Sequence, residues 1–490
     1  MIKNKNISTG FIMVAVLIAT FMTSVETTII TTALPTIVSH LNGLSFQSWV
    51  FATYLLTTAL STPIYGKLSD RWGRKPVFMI GLLIFSIVSL LCGLANNIIF
   101  LILFRGLQGI GAGAIMPITF TIIADLFDYE RRSTMLALNN TAWGISALLG
   151  PLLGGYIVET LSWHWVFFIN VPLGLLVFLI VFFKYNEKSH RVEKHKIDYK
   201  GILFLSSFLL ILLITFQNLG NFKINLFLIT CLIVLIVILG ILFYKTEKNA
   251  SDPIIPLELF RNRVFSIQIS TALLLSAIQI GFQTYFPMWL QAIYKSSASL
   301  AGLAVTPSPI FWLLSSFFVG TLVKKWPPKK ISLPLILLMS VFYFPLTIIS
   351  SSFPQLIFYI ISAITGITLG IIITMNTLVS QRVVTDSNLG TASAMLTLGR
   401  TLGQTIATGI LGLTFNLTLN SGIQSHGKIN SSMINNCIGG IQLTTDIKNY
   451  ESIIRQTVLS GMHNVFIVIM LIFAIALIIN IMDKNNSIIN

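Results

Sequence analysis

Charge is what this sequence has least of. Of its 490 residues, 10% are charged and 54% hydrophobic. Soluble domains carry about 25% charged residues, so a water-soluble fold of this length is excluded. Acids are scarcest, 16 against 31 Lys and Arg, for a formal net charge of +15. Three cysteines (Cys92, Cys231, Cys437) lie far apart, which argues against a disulfide framework or a zinc site. Six histidines are scattered, none in mid-span and none paired with an acid as a membrane-embedded acyltransferase would need. No catalytic residue or metal ligand is therefore assigned. A G-x-x-x-x-G-K-[ST] stretch is also missing, so no ATP motor is expected. The first apolar run starts near Thr9, carries Glu26 and lacks a small-x-small cleavage site; it reads as a span, not a cleaved signal peptide.

What the chain has instead is apolar runs long enough to cross a bilayer, which takes about 20 residues. There are fourteen, at about 9–34, 47–66, 76–95, 98–124, 134–158, 163–183, 201–219, 224–244, 264–290, 299–323, 331–351, 354–378, 391–415 and 463–482. With the N-terminus inside, 24 of the 31 Lys and Arg fall on inner segments and five outside, leaving Arg105 and Arg400 within spans. That asymmetry predicts both termini on the cytoplasmic side. The charged stretch 184–200 divides the chain after six spans. Spans 7 and 8 are nearly featureless Leu/Ile/Phe runs, suited to lipid-facing additions. The fold class expected is an all-α polytopic membrane protein. Its parts are an N-terminal six-helix bundle (1–200), a two-helix insertion (201–245) and a C-terminal six-helix bundle (246–490) with a long polar outer loop at 416–462. A faint repeat relates Gly144 and Gly150 to Gly403 and Gly409 at one offset of 259, which fits two related halves.

Three stretches carry more than hydrophobicity. Between spans 2 and 3, GKLSDRWGRKP places Gly66, Asp70, Arg71, Gly73 and Arg74. A merely basic inner loop does not need a Gly at the helix end, an Asp four residues later and a second Gly where a tight turn wants positive φ. Span 4 holds Arg105 in LILFRGLQGIGAG, with Gln108 beside it. An arginine inside a membrane costs a few kcal/mol at least, so it needs a partner, a water-filled cavity or backbone carbonyls. Span 5 carries Gly144, Gly150, Pro151, Gly154 and Gly155, a smooth helix face bent by proline.

These residues resemble the signatures of the major facilitator superfamily. The loop after span 2 is similar to that family's G-x-L-a-D-r-x-G-r-k, which implies a cytoplasmic gate built from Gly66, Asp70, Arg71, Gly73 and Arg74, with Arg131 as basic partner. Span 4 resembles the family's l-x-x-x-R-x-x-q-G-x-g-a, associated with proton transfer. Span 5 resembles the g-x-x-x-G-P-x-x-G-G of its exporters. The segment WHWVFFINVPLG (163–174) and Pro253–Phe260 look like those of the fourteen-helix drug:proton antiporters, with His164 where that family has Arg. The resemblance implies a proton-coupled exporter, an antibiotic-resistance type of protein and not an enzyme, while the Lys-, Asn- and Ile-rich composition suggests a bacterium and hence its plasma membrane. It would act as a monomer, need no cofactor beyond the proton gradient, contact membrane lipid and have no nucleic-acid partner.

Among the sixteen acids only Glu26 lies well inside a span; Asp125 and Glu159 sit at span ends. An intramembrane carboxyl is a functional hypothesis by default, since it can cross as a neutral acid and release its proton elsewhere. At 1.5 Å per residue Glu26 lies about 12 Å and Arg105 about 10 Å from the outer ends of their spans, so the two can pair as the proton-coupling residues. Glu26 as a plain structural partner of Arg105 is the competing reading. Arg400 lies about 14 Å in from the inner end of span 13, with no acid within a span of its half to neutralise it. It is satisfied by carbonyls, reaches Glu26, or attracts an anionic substrate. Substrate-cavity candidates by span placement are Glu26, Tyr54, Gln108, Asn139, Gln279, Gln283, Asn376 and Arg400. The expected function is proton antiport of amphiphilic drugs, monovalent cations or neutral, with bis-quaternary compounds poorly exported. The alternative is an exporter or flippase of a lipid or anionic metabolite.

Overall fold

A computed structural model describes residues 2–127, 129–187, 198–219, 225–250, 253, 255, 258–350, 353–384, 389–426, 429–438 and 450–483, with some helical side chains left out. Among the described residues all regular structure is helical. In chain order the long helices are α1 (Ile2–His40), α2 (Gln47–Trp72), α3 (Arg74–Gly93), α4 (Ile98–Leu126), α5 (Tyr129–Thr160), α6 (Asn170–Lys184), α7 (Tyr199–Leu219) and α8 (Leu226–Asn249). They continue with α9 (Arg263–Tyr294), α10 in three pieces (Ala298–Val305, Pro307–Ser316, Val319–Lys325), α11 (Pro328–Tyr343), α12 (Leu356–Arg382), α13 (Leu389–His426) and α14 (Glu451–Ile481). Thirteen of these, among the described residues, are long and apolar enough to cross a membrane. The fourteenth, α2, has 26 residues; Thr and Ser in its middle lower its hydropathy, not its length.

Local chemistry sets several ends. Asn97, Asn225 and Asn262 each accept a backbone N–H of the first turn, at 2.9 Å from Phe100, 3.1 Å from Leu228 and 3.0 Å from Val264. This is N-capping, which satisfies donors with no helical partner. Pro307 has no N–H to donate, and α10 breaks there at Thr306. Gly73 joins α2 to α3 with φ +96° and ψ 157°, a region essentially reserved for glycine that costs other residues about 1–3 kcal/mol.

One expected feature is corrected. Segment 416–462 is not one long loop: α13 runs on to His426, a short helix spans Ser431–Ile438, and α14 begins at Glu451. Its polar residues are compatible with helix because their side chains find partners there. Thr418 Oγ1 donates to the Thr414 carbonyl (3.0 Å), and Asn464 Nδ2 donates to Thr418 Oγ1 (2.9 Å), tying α14 to α13. The repeated glycines fit the two halves, though they meet different neighbours. Gly150 abuts Thr28 of α1, whereas Gly409 abuts Phe216 and Leu213 of α7.

The repeat is present at the level of helices. In the first six, α1 packs on α5 and α6, α2 on α4, and α3 on α6. In the last six, α9 packs on α13 and α14, α10 on α12, and α11 on α14. The molecule is thus two six-helix bundles plus the hairpin α7–α8. Helix α7 seats Leu205, Leu209 and Leu213 against Ala52 and Leu56 of α2 and against Leu402 and Ile406 of α13, so it touches both bundles. Helix α8 packs mainly on α7 and leaves most of its side chains exposed.

Among the described residues, hydrogen bonds between the bundles occur only toward the end of the molecule away from the chain termini. Gln291 Nε2 donates to the Thr32 carbonyl (3.3 Å) and Asn416 Nδ2 to that of Ser45 (2.9 Å). Ser299 donates from its N–H (2.7 Å) and its hydroxyl (2.8 Å) to Glu159.

Candidate functional site

Helix α1 carries a polar face made self-sufficient by its own backbone. Thr23 Oγ1 donates to the Ala19 carbonyl (3.1 Å), Thr28 Oγ1 to that of Val25 (3.1 Å) and Thr31 Oγ1 to that of Thr28 (2.6 Å). Hydroxyls satisfied in this way can stand in apolar surroundings. The carboxyl of Glu26 cannot be satisfied so, and its partners come from other helices. Arg105 Nη1 of α4 forms an ion pair with Oε1, and Asn170 Nδ2 at the start of α6 donates to Oε2 at 2.6 Å. Arg105 and Glu26 are both fully buried. Arg105 Nη1 also donates to Gln108 Oε1 (2.7 Å), and its Nε to the Val50 carbonyl (3.1 Å). The guanidinium lies 4.1 Å from the Tyr54 ring centroid, a cation–π contact. Gln108 Nε2 and Asn170 Nδ2 both donate to Ser89 Oγ at 3.1 Å, and Ser89 donates to the Phe167 carbonyl at 2.9 Å. Five helices and the turn before α6 therefore meet on one carboxyl–guanidinium pair inside the first bundle. Removing either partner of such a pair strands a buried charge, at a cost of about 3–5 kcal/mol.

The structure brings Glu26, Arg105, Gln108 and Tyr54 together, but not as cavity walls. All four are sealed in the first bundle, because the opposite face of α1 is the one turned to α5, α9 and α10. The other cavity candidates do not join them. Asn139 is buried and accepts from Thr20 Oγ1 (2.7 Å). Asn376, also buried, donates to the Gln268 carbonyl (3.2 Å). Gln279 is buried with Oε1 unpartnered, and Gln283 is half-buried. Arg400 is half-buried, its guanidinium 5.9 Å from the Trp312 ring centroid.

The glycines of α5 separate into two kinds. Gly150 and Gly154 lie against α1, and Thr32 Oγ1 donates to the Pro151 carbonyl at 3.1 Å. Gly155 faces the second bundle, where a Cβ would stand 2.5 Å from the Ser299 Cα; a Cβ on Gly302 of α10 would stand 2.6 Å from the Pro151 carbonyl oxygen. Gly144 has nothing within 4 Å and takes no part in this contact.

Of the expected gate residues, the side chains of Asp70, Arg71 and Arg131, and the surroundings of Gly66, lie outside what is described. Arg74 pairs with Asp125 of α4 and donates to the Thr121 carbonyl (3.2 Å). Its backbone N–H and that of Lys75 are capped by Glu187 at 2.6 and 3.1 Å. These contacts stay within the first bundle. The sequence pattern assigns no role to Asn170 or Glu187, and marks Asp125 only as an acid at a span end. Asn170 stood in the quoted 163–174 segment; the two acids sit at helix ends, where charge is ordinary. His164, the departure from the resembled segment, stacks 3.8 Å from Trp163, with Nδ1 3.2 Å from Ser162 Oγ. Among the described residues no cluster of His, Cys, Asp and Glu could hold a metal.

Comparison with known proteins gives a consistent result. The family model of the Major Facilitator Superfamily matches residues 16–408. "Multidrug resistance protein 3" of Bacillus subtilis is 35% identical over 83% of this chain and 80% of its own length. The "Multidrug efflux pump SdrM" of Staphylococcus aureus is 29% identical over 84% of this chain and 90% of its own. Among solved structures, a bacterial homologue of the human lysosomal transporter Spinster, inward-facing and unoccupied, superposes with TM-score 0.72 at 17% identity, covering 96% of each chain. A D-xylose–proton symporter superposes at 0.60 with 15% identity, over 88% of this chain and 95% of its own.

Proposed function

The chain belongs to the major facilitator superfamily, and from that membership we propose that it exports amphiphilic drugs across the plasma membrane in exchange for protons, with Glu26 as the coupling carboxyl. Relatives that are multidrug efflux proteins support drug export. The observation that carries the coupling role is the position of Glu26, the one acid deep in a span, fully buried against Arg105 and Asn170. The Lys and Arg asymmetry puts the termini in the cytoplasm, so the end that carries the inter-bundle hydrogen bonds faces outward.

The chemistry follows from the pair. Protonating Glu26 removes the charge that balances Arg105 and leaves the guanidinium on Gln108, the Val50 carbonyl and the Tyr54 face. A buried cation without its counterion drives rearrangement of α1 against α4 and α6. Thr32, whose carbonyl meets Gln291 across the seal, is six residues further along α1, about 9 Å. One helix thus connects the proton site to the contact that opens and closes the outer face. The proton gradient supplies about 2.3 kcal/mol per charge per 100 mV, and alternate exposure is bundle rocking. Because α1–α6 hold only this acid at depth, the substrates proposed are monovalent cations or neutral compounds.

Ethidium efflux from energised cells or inverted vesicles tests this, wild type against Glu26→Gln, with and without a protonophore. Loss of efflux under either treatment is expected. Uncoupler-sensitive efflux that survives Glu26→Gln would return Glu26 to a structural role. No efflux in wild type, with a membrane lipid or secreted product changed instead, would favour a lipid or anionic-metabolite exporter.

A further inference from the structure

We propose that Arg400, Trp312 and Trp143 form a recognition site for molecules that join an aromatic ring to a carboxylate or similar anion. The second bundle carries a single charge away from its helix ends, Arg400, and no Asp or Glu at depth in α9–α14. Glu26 cannot serve as its counterion, since both carboxylate oxygens are engaged inside the first bundle. Among the described residues Arg400 has no ion pair and no hydrogen bond, and its Nε is buried without a partner. A buried guanidinium nitrogen in that condition lacks an acceptor it would normally have. The residue as a whole is half-buried, and its guanidinium lies beside Trp312 of the facing helix α10.

What stands next to it is aromatic. The Trp312 ring lies 5.9 Å from the guanidinium, and the Trp143 ring is 6.0 Å from that of Trp312 at an angle of 56°. Trp312 is near the middle of α10 and Trp143 near the middle of α5, so the ring pair crosses from one bundle to the other at mid-depth. Both are half-buried. At 6.0 Å the rings touch each other, and a ligand ring packs alongside them, not between them. Arginine binds carboxylates bidentately while its face stays on an aromatic ring, so ring and anion of one ligand are recognised together. The Trp143 carbonyl accepts from Ser24 Oγ at 3.3 Å, two residues before Glu26. An occupant therefore bears on the helix that carries the proton site. This deepens the export reading and rests on it only for the direction of transport; it adds aromatic anions and zwitterions to the substrates.

The test is equilibrium binding to the purified full chain in detergent at pH 7, read by energy transfer from tryptophan to pyrene. The probes share one ring system: 1-pyrenebutyrate and 1-pyrenebutanol. Wild type is expected to bind the carboxylate at least tenfold tighter than the alcohol. Arg400→Gln should bring the two within twofold while leaving alcohol affinity unchanged, and Trp312→Ala should weaken both severalfold. Equal affinities in wild type, or a carboxylate preference that survives Arg400→Gln, would overturn the proposal. If Arg400→Gln does not fold, competition on wild type decides. Naphthoate should displace pyrenebutyrate where naphthalenemethanol does not, and equal displacement would count against the site. Binding needs no gradient, so failure of the Glu26 coupling reading leaves this result interpretable.

Discussion

Asn170 donates to Glu26 Oε2 and holds Ser89 with the same amide nitrogen. Asn170→Ala leaves a buried carboxylate oxygen without its partner, a loss of about 1–3 kcal/mol. It should lower the thermal midpoint of the purified protein by several degrees and cut efflux about tenfold. An unchanged midpoint and rate would remove Asn170 from the coupling network. The pair it serves was legible in the sequence for a simple reason: charge is so costly in lipid that each intramembrane instance stands out, and only one acid and two arginines do. A neutral amide gives no such contrast, because a buried Asn is as often a helix-packing residue as a ligand of charge. The partners of Asp125 and Glu187 were illegible for the opposite reason, since carboxylates at or just beyond helix ends are ordinary and only geometry shows which cation or N–H they hold. The depth of Glu26 was readable from residue counts; the direction it faces was not, because that depends on which helices surround α1.

Helix α5 presents its glycines to two different neighbours and one to nothing, which makes it a controlled comparison. Gly155→Val drives side-chain atoms into the Ser299 backbone, which cannot yield like a flexible side chain. The outer seal should loosen, and a cysteine placed at Gln291 should react severalfold faster with an impermeant maleimide added outside. Gly144→Ala meets nothing and trades backbone freedom for helix propensity, worth up to about 1 kcal/mol, so labelling should stay at the wild-type rate. Equal labelling in both variants would show that Gly155 does not hold the seal. Helix number and order were legible from apolar length, but the outer ends of α13 and α14 were not. Hydropathy reports the part of a helix that sits in lipid, and Thr, Asn and Ser beyond it look like a loop even when their side chains bond helix to helix.

At the scale of the whole molecule, one buried carboxyl paired with one buried guanidinium sets the electrical balance of the proposed cycle. A single proton exchanged for a monovalent cation moves no net charge, whereas exchange for a neutral drug moves one. In inverted vesicles with ionophore-clamped gradients, ethidium uptake should answer to the pH difference and not to the voltage, while a neutral substrate should answer to both. Voltage-driven ethidium uptake at zero pH difference would require a second proton and a second site. The hairpin α7–α8 adds an asymmetry that the two bundles alone lack. Because α7 lies over the seam between α2 and α13, that flank is shuttered against the lipid. Among the described residues no helix outside the two bundles packs on the opposite flank, where α5 meets α10. If substrates enter from the inner leaflet, as the export reading supposes, α7 restricts their approach to that one flank, beside Trp143 and Trp312.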